Sequence, residues 1–143
     1  MKFLRNYYPN RDLGLLILRI LLGIMFMLHG WPKIAGGTEK WTAIGGSMSS
    51  FGIEFMPGFW GFMAAFTEFF GGFLFIIGLF FRPVNLLLLL TMIVATAKHA
   101  SAGDGFIGYS HALEAGILFF SLLFIGPGRY SLDAKYFPGE RLR

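Results

Sequence analysis

Four long apolar runs, parted by short polar breaks or by glycine and proline, organise the chain. The first extends from about Leu13 to Trp31 and the second from Phe59 to Phe81; both reach the ~20 residues a helix needs to cross a bilayer. The third, Val84 to about Ala100, opens after Pro83, a residue suited to a helix start. The fourth runs from about Tyr109 to Ile125, where Gly126, Pro127 and Gly128 stop it. These last two stand at the short limit for a crossing, where a helix in a soluble core is the alternative. Arg82–Pro83 and Ser101–Gly108 are brief connections, and brief connections make antiparallel neighbours. The pattern therefore predicts an all-α integral membrane four-helix bundle, up-down-up-down, as a single membrane domain over residues 1–143. The connection 34–58 is longer. Trp41, Phe51, Phe55 and Trp60 mark it, with Gly45, Gly46, Gly52 and Pro57 as breaks, which predicts a short interfacial helix or loop between helices 1 and 2.

Composition agrees. Hydrophobic residues make up 55% and charged ones 14%, against about 25% charged for a soluble domain, so a large soluble core is set aside. The 18 Phe and 20 Gly suit helices packed in lipid, where small residues let backbones approach. With no Cys, the chain itself carries no disulfide, thiol relay or cysteine-ligated cluster. The net charge of +4 does not point to nucleic acid, because the basic residues sit in tails and turns instead of on one face. They predict orientation instead. Lys2, Arg5, Arg11, Arg82, Arg129, Lys135, Arg141 and Arg143 fall on one side, and Lys33, Lys40 and Lys98 on the other, so both termini are expected to be cytoplasmic. The N-terminal MKFLRNYYPNRD is followed by no small-residue cleavage site and is read as leading into an uncleaved anchor.

Charge within a lipid-length apolar run is expensive, which makes it the place to look for function. The candidates for ligand binding or proton transfer are Arg19, His29, Lys33, Glu68, Lys98, His99, His111 and Glu114. Antiparallel threading brings all of these except Arg19 toward one end. Glu68 lies roughly 14 Å below that mouth at ~1.5 Å per residue. Because Cα–Cβ bonds tilt toward a helix's own N-terminus, His29, Lys98 and His99 lean into the membrane while Glu68 and Glu114 lean outward. Acidic and basic groups are thus expected to converge on one layer, where pairing relieves the burial penalty.

Each residue also has a plainer reading. His29 and Lys33 would rest in the headgroups, Lys98 would snorkel, and His111 and Glu114 would pair with each other. Arg19 would snorkel to the inner interface, or pair with Glu68 across a tilted helix. Asp133 and Lys135 are expected to be solvated or headgroup-facing. Glu68 resists dismissal because it lies too deep to snorkel easily. It shares a helix face with Gly61, Ala65 and Gly72, a stripe best read as close packing. Three histidines and two carboxylates would suffice chemically for zinc, copper or iron. The paired Glu-x-x-His motifs of di-iron bundles do not occur, and His111-x-x-Glu114 has the reverse order, so no metal site is expected. Walker, dinucleotide, HExxH and nucleophile-elbow motifs do not occur either.

Several runs carry a resemblance. Leu18-Arg19-Ile20-Leu21-Leu22-Gly23, then His29-Gly30 and Lys33-Ile34, resemble the opening helix of the DoxX family. So do Glu68-Phe69-Phe70-Gly71-Gly72 with Gly78-Leu79 and Arg82, and the closing run from Gly126 through Arg129 and Tyr130 to Ala134. The resemblance implies a small four-helix bacterial inner-membrane protein associated with respiratory redox chemistry, whose relatives include a subunit of a thiosulfate:quinone oxidoreductase. It marks Arg19, His29, Lys33, Glu68 and Arg129 as characteristic positions.

The functional expectation is a quinone-linked redox accessory subunit of a respiratory or oxidative-stress-related membrane complex. A quinone needs an apolar slot with aromatic walls, for which Phe66, Phe69, Phe70 and Phe73 are candidates, and one or two polar groups for its carbonyls. A quinone is the sole cofactor candidate. Electrons would come from a protein partner, since no redox centre and no catalytic motif is visible in the chain. The alternatives are a non-enzymatic scaffold or assembly subunit and a small transporter or lipid-binding module.

Overall fold

The computed structural model describes residues 10–138, so Lys2, Arg5, Arg141 and Arg143 lie outside the described residues. The elements are α1 (Arg11–Ile34), α2 (Gly37–Gly45), a 3₁₀ turn (Gly46–Phe51), α3 (Pro57–Ile77), α4 (Phe81–Ser101), α5 (Gly105–Ile125) and a short α6 (Leu132–Tyr136). Among the described residues there is no strand. Helices α1, α3, α4 and α5 are each long and apolar enough to cross a membrane, as the all-α bundle expectation required.

Helix α1 shows why the bundle forms. Its buried positions, Leu15, Arg19, Gly23, Phe26 and Gly30, recur every three or four residues and so lie on one stripe. Leu13, Ile17, Leu21 and Leu28 stand exposed, an apolar face left for lipid or a partner helix. One phenylalanine from each long helix meets at the centre. Phe26 of α1 packs edge-on against Phe119 of α5 (ring centroids 4.9 Å apart), Phe119 against Phe75 of α3 (5.7 Å), and Phe75 stacks on Phe81 of α4 (5.2 Å).

Helices α1 and α3 approach backbone to backbone. A Cβ on Gly30 would overlap the backbone of Phe69, and one on Gly23 would overlap the carbonyl of Gly72. Within α3 the residues Thr67–Gly71 form a wide π turn. At its end consecutive glycines meet two neighbours: Gly71 lies against Val84 and Leu88 of α4, and Gly72 against Gly23 and Met27 of α1.

The chain reverses between α3 and α4 at Gly78 and Phe80, both with left-handed backbone (φ 65° and 49°). Helix α4 consequently begins at Phe81, and Arg82 and Pro83 lie inside its first turn instead of forming the connection. Proline is tolerated there because its missing N–H would have had no partner within the helix. Helices α4 and α5 are 21 residues each, so neither falls short of a crossing. The long connection between α1 and α3 is mostly helical. Helix α2 lies on α3, where a Cβ on Gly61 would overlap the carbonyl of Trp41, and Trp41 packs on Phe62 with centroids 5.0 Å apart.

Candidate functional site

Polar side chains gather at the two ends of the bundle. At the end covered by α2, Glu68 sits in the π turn of α3 with 3% exposure, and its Oε2 accepts a 2.5 Å salt bridge from Lys33 Nζ. Lys33 belongs to the last turn of α1. Its stem leans toward that helix's N-terminus and so downward, while Glu68 leans toward the N-terminus of α3 and so upward. The lysine remains partly open, with its side chain 31% exposed against 4% for the glutamate. Trp41 donates its indole N–H to the Lys33 carbonyl at 2.9 Å, so α2 pins the end of the helix that presents the lysine.

The histidines do not join this pair directly. His29 of α1 and His111 of α5 face each other with ring centroids 6.1 Å apart, and both are exposed. Glu114 is exposed and makes no hydrogen bond to His111 among the described residues, so the expected pairing of those two is not formed. His99 instead meets Asp104 beyond the end of α4, Nδ1 to Oδ2 at 2.6 Å, with Lys98 exposed beside it. The mouth thus holds three separate groupings, Lys33–Glu68, His29–His111 and His99–Asp104, and not one common cluster. The reason is geometric: the rings come from the rims of α1, α4 and α5, whereas Glu68 faces the α1–α3 seam, where glycine lets the backbones touch.

At the opposite end Arg19 is fully buried. It neither snorkels nor reaches Glu68. Its Nη2 donates to the carbonyl of Tyr130, and Nη1 lies against Gly78 and Ser131. Gly78 is required twice over, for its left-handed φ and because any Cβ would strike the guanidinium. Asp133 is within electrostatic reach of Arg19. It is not left to solvent, as expected of it. Its Oδ1 accepts the Phe80 amide at 2.8 Å and its Oδ2 the Phe81 amide at 2.7 Å, while its own N–H donates to the Gly78 carbonyl at 2.9 Å. Ser131 caps α6 by accepting the Ala134 amide, and Asp12 accepts the Arg129 amide at 3.0 Å. The chain after Gly126 therefore folds back as a latch over the ends of α1, α3 and α4. Sequence reasoning missed Asp133, Ser131 and Asp12. For Ser131 and Asp133 the available signal was their place, with Tyr130, in the closing run after the glycine–proline stop; Asp12, in the first turn of α1, had none.

Four lipid-length helices, with a buried carboxylate paired to a partly open lysine near one end and a buried arginine near the other, define a small polytopic membrane bundle. The chain belongs to the DoxX family, which it matches over residues 14–100, a span that includes Arg19, Lys33 and Glu68. It is 32% identical over 127 residues to "Inner membrane protein YqjF" of Escherichia coli (strain K12), covering 85% of this chain and 91% of that protein. It is 36% identical over 84 residues to "Putative oxidoreductase CatD" of Bacillus subtilis (strain 168), covering 59% of this chain and 58% of that one. No solved structure matches.

Because Asp133 serves both leading amides of α4, Asp133→Ala should destabilise the protein by about 2 kcal/mol, the upper range for a lost helix cap. Asp133→Asn, which keeps one acceptor oxygen, should lose about half as much. Thermal unfolding in detergent reads both; an alanine variant as stable as wild type would contradict the latch.

Proposed function

We propose that the protein is a quinone-linked accessory subunit of a redox complex in the bacterial inner membrane, with both termini cytoplasmic. The observation that carries this reading is the Lys33–Glu68 pair: an almost wholly buried carboxylate, in a π turn, flanked by aromatic rings that face lipid. Phe62, Phe66 and Phe70 stack along α3 with centroids 5.9 and 4.6 Å apart, and Phe66, Phe70 and Phe73 are exposed. Phe69 lies between Phe70 and Trp31. These rings present an apolar, flat-sided surface within a turn or two of Glu68, accessible from the bilayer, where a quinone travels. Reducing a quinone to a quinol takes two electrons and two protons, and converts two carbonyl groups to hydroxyls. Electrons come from a partner protein bearing a redox centre. The proton-exchanging side chains at the mouth, Lys33–Glu68 and the His29–His111 pair, supply the protons and hydrogen-bond the carbonyls. The names of the two relatives support the inner-membrane setting and the redox association.

A scaffold reading also has a specific observation behind it, since Glu68 ties α3 to α1 and Arg19 ties α1 to the chain after α5. Glu68→Gln separates the two. A purified sample titrated with a soluble quinone analogue should show saturable binding, weakened about tenfold in Glu68→Gln, the scale of a lost charge-assisted contact. Binding that never saturates, or an affinity unchanged in Glu68→Gln with only the melting temperature lowered, contradicts the quinone reading and leaves the scaffold.

Orientation rests on the basic residues. Arg11, Arg82, Arg129 and Lys135 lie at the latch end, whereas Lys33, Lys40 and Lys98 lie at the other, with Lys33 already neutralised by Glu68. Alkaline phosphatase fused in the α4–α5 turn at Gly103 should be active and a fusion after residue 143 inactive; the reverse pattern contradicts the assignment.

A further inference from the structure

Beside the latch lies a cavity of about 560 Å³ between the start of α4 and the chain that follows α5. Phe80, Pro83, Pro127 and Phe137 give it an apolar floor, and Arg82 and Arg129 also line it, with the Arg129 guanidinium lying over the Tyr130 ring at 4.7 Å. Phe80 and Phe137 are themselves in contact, with centroids 6.1 Å apart, and both are exposed, so the floor is continuous with the lipid-facing surface of the bundle. Asp133 also borders the cavity, but its two oxygens are committed to the amides of Phe80 and Phe81. That commitment also occupies the amides of Phe80 and Phe81 at the start of α4. The two arginines are what remains. Arg82 makes no hydrogen bond or ion pair among the described residues. Arg129 meets Asp12 only loosely, at 3.6 Å, and donates to the Tyr130 hydroxyl.

We infer that this cavity is a binding site for an anionic phospholipid, with the phosphodiester between Arg82 and Arg129 and the upper acyl chain over Phe80 and Phe137. Guanidinium groups suit a phosphate because their planar N–H forks match its oxygens. Basic recesses where helices meet the membrane surface hold acidic headgroups for the same reason. The site is independent of the quinone reading, for it lies at the other end of the bundle from Glu68.

The test titrates the full-length protein in neutral detergent with short-chain phosphatidylglycerol or phosphatidylcholine, and separately with inorganic phosphate, reading binding by native mass spectrometry. Phosphatidylglycerol should bind more tightly than phosphatidylcholine. Arg82→Gln and Arg129→Gln should each weaken it by about fivefold, the scale of one basic residue near an acidic membrane surface, while Arg82→Lys keeps most of the preference. Equal binding of the two lipids, or a preference that survives both glutamine substitutions, would overturn the site. Inorganic phosphate binding as tightly as phosphatidylglycerol would overturn the lipid assignment in favour of a free-phosphate site. If Arg129→Gln fails to fold, Arg82→Gln decides alone, since the Arg82 side chain holds nothing else in place.

Discussion

A charged side chain in the middle of a lipid-length helix has no water to turn to, so its stability depends on what another segment brings to it. The bundle answers this constraint twice, in different ways. Glu68 is met by an opposite charge from α1, at the seam where glycines let two helices touch. Arg19 is met through Nη2 alone, by a backbone carbonyl of the chain after α5, with Asp133 of the same segment adding its field, while Nε and Nη1 have no hydrogen-bond partner among the described residues. In each case the partner is remote in sequence, so burying the charge also fixes which segments must lie together.

Packing and electrostatics depend on each other here. The ion pair forms because Gly30 allows α1 to lie directly on the backbone around Glu68 and Phe69. Gly71 and Gly72, at the end of the π turn, face different neighbours, so α3 serves α1 and α4 at once. The apolar faces left over, such as Ile17 and Leu21 on α1 or Leu86 and Leu90 on α4, point outward, as suits a bilayer.

Helix positions and the unusual status of Glu68 were legible because they rest on periodicity and depth, both local properties of the sequence. Lys33 was legible as a residue of the mouth but not as the partner of Glu68, since the pairing depends on how far a four-carbon stem reaches down from the end of α1. The partner of Arg19 was illegible in principle, because a backbone carbonyl has no residue-type signature. Asp133 escaped for a related reason. Helix-capping signals are read from residues adjacent in sequence, and this one caps α4 from |i−j| = 52 and 53 away. The π turn was invisible too, as nothing in Thr67–Gly71 departs from an ordinary helical pattern. The histidines were correctly sent to one end, yet threading alone could not say that they would divide into separate pairs.

The account stands on Lys33 and Glu68 acting as one unit, and a double-substitution cycle on unfolding in detergent measures this most directly. Leaving either charge alone should be strongly destabilising, by about 3 kcal/mol or more for the unpaired buried glutamate, while Lys33→Met combined with Glu68→Leu should cost less than Lys33→Met by itself. Two single effects that simply add in the double variant would show that the residues do not interact, and the account would fail.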